Sequence, residues 1–105
     1  MQCNPLRNEV VIMLDGIAYV MRPSFEALVL IEKQLSQTLI QIADKISTEN
    51  ISLTELAVII EICMEKRASA EFIQDAIVRG GMTSALNAVA DLMMAIFSGI
   101  DTQNG

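Results

Sequence analysis

The sequence predicts an α+β fold that is mostly α: an N-terminal β-hairpin followed by a compact bundle of four to five helices. Three observations lead there. Asp15-Gly16 sits between two short runs rich in Val and Ile, the strongest local signal for a tight hairpin turn. From Phe25 onward, apolar residues recur at helical spacing. Cap signals at Ser24, at Ser52 with Glu55, and at Gly80-Gly81 divide that stretch into segments.

The elements follow in order. Residues 1–8 read as a short arm and 9–21 as the hairpin, with strands Glu9–Leu14 and Ile17–Met21. Val11, Met13, Ala18 and Val20 are expected to share one face of it. A lone hairpin is marginal in water, so it has to pack on helices or join another sheet. We expect it to pack on the first helix, with Phe25 as its anchor, and to leave a strand edge free for pairing. Pro23 ends the second strand and Ser24 is the N-cap of a helical region spanning 24–98. Phe25, Leu28, Ile31, Leu35, Leu39, Ile42 and Ile46 make one stripe; Ser36 either breaks it into two helices or lies within one bent helix.

After the turn "STENIS", Ser52 and Glu55 form a capping box for a helix from Leu53 to Lys66. Its core stripe is Leu53, Leu56, Ile60 and Cys63, while Val58 and Ile62 fall within its polar arc. A fourth helix starts near Ser69 and stops at Gly80-Gly81, where glycine suits the C-terminal turn. The last runs from Thr83 to Ser98, and 99–105 is a polar tail. No repeat or low-complexity segment interrupts this single domain, 1–105.

Composition limits the function classes. Hydrophobic residues make up 52% of the chain and mean hydropathy is +0.45, yet acidic residues interrupt every long apolar run, so no membrane span is expected. The N-terminus has no apolar core of a secretory signal. A net charge of −6 argues against nucleic acid, whose phosphates require a basic surface. Cys3 and Cys63 read as free thiols, as in a reducing cytoplasm.

Catalytic equipment is sparse. The chain has no histidine, no phosphate-cradling glycine loop, no calcium loop and no zinc ligand set, so neither an enzyme nor a cofactor or metal site is expected. Cys63 reads as a buried small hydrophobe, and Glu61 with Glu65 as a solvated helix face. The positive signals concern surfaces. The last helix is polar only at Ser84, Asn87, Asp91 and Ser98. A helix apolar nearly all round must be covered on several sides, and a chain of 105 residues is short for that. The surplus points to a partner or to a homo-oligomer. Seven methionines add adaptable thioether surface. Val58, Ile62, Met93, Met94 and Phe97 are the candidate partner-binding residues.

The segment "LDGIAYVMRPSFEALVLIEKQL" resembles the opening of the tail assembly chaperones of the gene-transfer-agent family of phage-like particles. That opening has a strand, a turn ending in Asp-Gly, a second strand, then Arg-Pro-Ser/Thr-Phe starting a helix with a later Glu. Here these positions are Asp15, Gly16, Arg22, Pro23, Ser24, Phe25 and Glu32; Ser36 stands where the family pattern has a glycine. The resemblance implies a cytoplasmic protein of the bacterial host that binds the helical, aggregation-prone tape measure protein. It would keep that protein soluble, promote assembly of tail tube protein around it, and be absent from the finished particle. The residues alone also fit a small helical adaptor or regulator that dimerises through its last helix. A small enzyme working through carboxylates is the least supported class.

Overall fold

In the computed structural model, which describes residues 9–66 and 68–97, Asp15 and Gly16 both take positive φ, 57° and 80°. This is the geometry a two-residue hairpin turn requires. The turn joins β1 (Val10–Leu14) to β2 (Ile17–Met21), and Val11↔Val20 and Met13↔Ala18 pair directly. Those four residues therefore share a face, as expected, and it is the outer one. Ile12, Leu14 and Met21 point the other way and are buried. The arm, 1–8, and the tail, 99–105, lie outside the described residues, as does Ser98.

Five helices follow: α1 (Phe25–Leu35), α2 (Leu39–Ser47), α3 (Leu53–Cys63), α4 (Ala70–Gly80) and α5 (Met82–Phe97). The stripe from Phe25 to Ile46 is thus split. Ser36 caps the C-terminus of α1 in the left-handed conformation (φ 54°), the role glycine normally fills. Two side chains then restart the helix. Thr38 and Gln41 form a capping box, and the Leu39 N–H donates to Glu32 Oε2 at 2.9 Å. Glu32 thereby clasps the break from the preceding helix.

α3 is the central element and packs on α1, α4 and α5. Ser52 and Glu55 form the expected capping box at its start. Its end differs from expectation. The helix stops at Cys63 rather than Lys66, because Met64 turns extended and bridges Met21. Arg22 N–H donates to Cys63 O (2.7 Å) and Glu65 N–H to Val20 O (2.9 Å). These non-local bonds replace the last helical turn and cover part of the β2 edge. Among the described residues no third strand pairs with β1.

The hairpin packs mainly on α4 and α5, not on α1. Tyr19 meets Phe72 of α4 edge-to-face with ring centroids 6.3 Å apart, and Asp15 pairs with Arg79 of α4 at 2.8 Å. Phe25 anchors nothing: it is 81% exposed. As the first residue of α1 it lies on an exposed surface of that helix with Glu26, Val29, Leu30 and Lys33. Its neighbour Pro23 is buried, and Arg22 closes the junction by pairing with Glu9 (2.6 Å) and with Glu65.

Candidate functional site: an apolar groove between α2 and α5

α2 packs on α5, and an open groove of about 430 Å³ runs along their junction. Small side chains make the depression. Ala43 of α2 and Ala90 of α5 both line it, together with Ile46 and Met93. Larger ones form its α5 wall: Met94 is 69% exposed and Phe97 51%. Polar groups sit at its margin, namely Ser47, Glu49 and Asn87. The volume falls in the range of ordinary binding sites, but the converging polar groups that fix a small ligand are few here.

The five candidate residues separate into two groups. Met93, Met94 and Phe97 all line this groove, Met93 from its floor with only 4% exposure. Val58 and Ile62 lie elsewhere, on α3. Val58 is half-buried, and Ile62, placed by its spacing in a polar arc, is 8% exposed. The reason is positional: α3 is surrounded, so even its nominally polar side meets α1. Ile62 borders a shallow surface with Ala27 and Leu30 of that helix. Sequence reasoning did not single out Ala43, Ile46 or Ala90. Alanines on two amphipathic helices were the available signal, but which helices pack together is a tertiary fact.

A second apolar patch surrounds Phe25, with Val29 one turn on and Leu30 and Lys33 beside it. A larger hollow at the α1–α2 break is lined by Gln37, Gln41, Asp44 and Lys45 and is mostly polar, although Ile40 stands exposed there.

Electrostatics elsewhere serves the frame. Glu55 accepts from Lys45 Nζ (2.8 Å), Gln37 Nε2 (2.6 Å) and the Ser52 N–H (3.0 Å). The Lys45 bond foremost, with the Ser52 N–H, holds its pKa down at about 2. Burial pushes the Cys63 thiol up to about 12, which leaves it unreactive. Among the described residues, no three His, Cys, Asp or Glu side chains converge as metal ligands, and no single helix is long and apolar enough to cross a membrane.

A sequence-family profile described as "Phage tail tube protein, GTA-gp10" matches residues 7–99. The chain belongs to that family. The match spans the hairpin and all five helices, so the whole described fold, groove included, is the fold of a phage or gene-transfer-agent tail protein. No curated protein and no solved structure matches this tail protein. The resemblance first carried by the Asp-Gly turn and the Arg22-Pro23-Ser24-Phe25 helix start thus holds at the level of the tail family.

Proposed function

We propose that this tail protein is an assembly chaperone: it binds the tape measure protein, keeps it soluble in the host cytoplasm, and helps tail tube subunits gather round it. The observation that carries the reading is the α2–α5 groove, where Met94 and Phe97 remain exposed on a helix otherwise built for burial. An amphipathic helix laid in such a groove gains about 25 cal/mol per Å² of apolar area buried, less the costs of ordering. Methionine adapts to varied helical faces, which suits successive segments of a long client. The role is one of binding rather than catalysis, without cofactor, nucleic acid or membrane.

The family's description favours a second reading, a subunit of the tail tube itself. The outer face of the hairpin, with Val11 and Met13 exposed, offers a surface for copy-to-copy packing. Two measurements separate the readings. Co-expression with the long helical tail protein, followed by size-exclusion chromatography with light scattering, is expected to give a soluble complex of defined stoichiometry. Persisting insolubility of that protein, with this chain running alone, overturns the chaperone reading. Quantitative mass spectrometry of purified particles is expected to find this chain absent. Many copies per particle would make it a tube subunit.

A further inference from the structure

We infer that the α2–α5 groove is built for one kind of occupant: an amphipathic helix from another protein, flanked by Lys or Arg. The inference rests on the chaperone reading for its biological client, and on the groove's own chemistry for the class of helix.

Consider Glu49. It follows Thr48, the C-cap of α2, and takes the left-handed conformation with φ 57°. Glycine is the usual residue at that position, because an L side chain there crowds its own backbone. A carboxylate is also unfavourable beside the negative end of a helix dipole. Glu49 breaks both local rules, and no cation pairs with it among the described residues. What the position accomplishes is to hold a carboxylate on the groove margin. The left-handed turn itself caps α2, the Glu49 N–H donating to Ile46 O (3.1 Å) and the Asn50 N–H to Lys45 O (2.7 Å), so what the local structure leaves unexplained is a carboxylate where glycine is usual.

Asp91 supplies a second carboxylate. It is exposed, four residues after Asn87 and three before Met94, both of which line the groove, so it shares their helix face. Among the described residues, no cation lines the groove. An apolar floor with Glu49 at its margin and Asp91 on the same face of α5 complements a helix with an apolar stripe and basic flanks.

A second copy of this chain does not fit. α3 and α5 carry no basic residue. Lys45 of α2 is engaged by Glu55, and Arg79 of α4 by Asp15 and Asp75. α1 offers Lys33 alone. That lysine borders the exposed Phe25 and Val29 together with Glu26, and Lys66 follows buried α3, so among the described residues no helix presents an apolar stripe with basic flanks alone, and the cations come from another chain.

The test uses two synthetic helical peptides of about five turns with one shared Leu/Ala face, flanked by Lys in one and by Glu in the other. Each is titrated onto the full-length protein by fluorescence anisotropy. The Lys peptide is expected to bind at least about tenfold more tightly, with the gap narrowing as salt rises. Glu49→Gln is expected to narrow the same gap, and Met94→Lys to abolish binding of the Lys peptide, with circular dichroism melts confirming that both variants are folded. Equal binding of the two peptides, binding of neither, or indifference to both substitutions overturns the inference. The tape measure protein separates the two levels. If wild type and Glu49→Lys solubilise it equally, the groove assignment fails and the chaperone reading stands. If wild type fails to solubilise it, the chaperone reading falls while the peptide result is judged by itself.

Discussion

α3 and α5 look alike in sequence and end differently. Each is apolar over most of its circumference and has few charges. α3 is packed by α1, α4 and α5, and Leu56, Ala57, Ile59 and Ile60 are fully buried. α5 contacts the hairpin, α2, α3 and α4, yet it still exposes Met82, Met94 and Phe97. The difference teaches that apolar surplus is not a property of a helix alone. It is set by how much of the helix its neighbours cover: α5 touches more elements than α3, but with 16 residues against 11 it outruns them. Five helices and a hairpin enclose one such helix and fall short of enclosing a second. The uncovered side of that second helix is where this tail protein presents its groove.

The sharpest way to break the contrast is to truncate a buried side chain on α3. Leu56→Ala removes a fully buried leucine from the centre of the core and is expected to cost about 2–5 kcal/mol, read as a lower denaturation midpoint. A cost below about 1 kcal/mol would mean that α3 is not the central helix.

Next comes the frame that seats α3. Glu55→Ala removes the capping box and the Lys45 bond together, at a cost of about 1–2 kcal/mol near neutral pH. The pH dependence follows from the lowered pKa. A carboxylate held at about 2 in the folded protein stabilises it fully above the unfolded value of about 4.3, and that contribution fades as pH falls towards 2. Thermal melts of the wild type are therefore expected to lose stability across this acid range, and those of Glu55→Ala to lose less.

Smaller effects sharpen the contrast from the other side. Ser36 and Glu49 both hold left-handed backbone at helix ends, so Ser36→Gly and Glu49→Gly are each expected to gain about 0.5 kcal/mol net. Only Glu49→Gly is expected to weaken capture of a basic helix, a gain in stability joined to a loss of binding. Smallest is Met94→Lys on α5. At an exposed position it is expected to shift stability by less than about 0.5 kcal/mol in the same denaturation assay, while partner capture is lost.

Much of the frame was legible in the sequence because its signals are local. The Asp15-Gly16 turn, the Ser24 cap and the Ser52/Glu55 box act within four residues of themselves, and each stands where expected. What escaped depends on distant partners. The α1–α2 break was open between two readings, since its clasp is a bond from Glu32 across to Leu39. α3 ends early because β2, more than forty residues upstream, takes its last residues into a bridge. Phe25 and Ile62 were misplaced in opposite directions for one reason. Helical spacing says which residues share a face, and not what lies opposite it. Of the candidate groove, Met93, Met94 and Phe97 were singled out, but Ala43 and Ile46 belong to a helix, and Glu49 to the turn after it, that only folding brings alongside.

The most direct test of the central claim is hydrogen–deuterium exchange of the protein alone and in complex with the tape measure protein. New protection is expected over residues 39–47 and 82–97, which frame the groove, with α3 protected equally in both states. Protection confined to the Phe25 face of α1 or to the hairpin, with α2 and α5 unchanged, would contradict it.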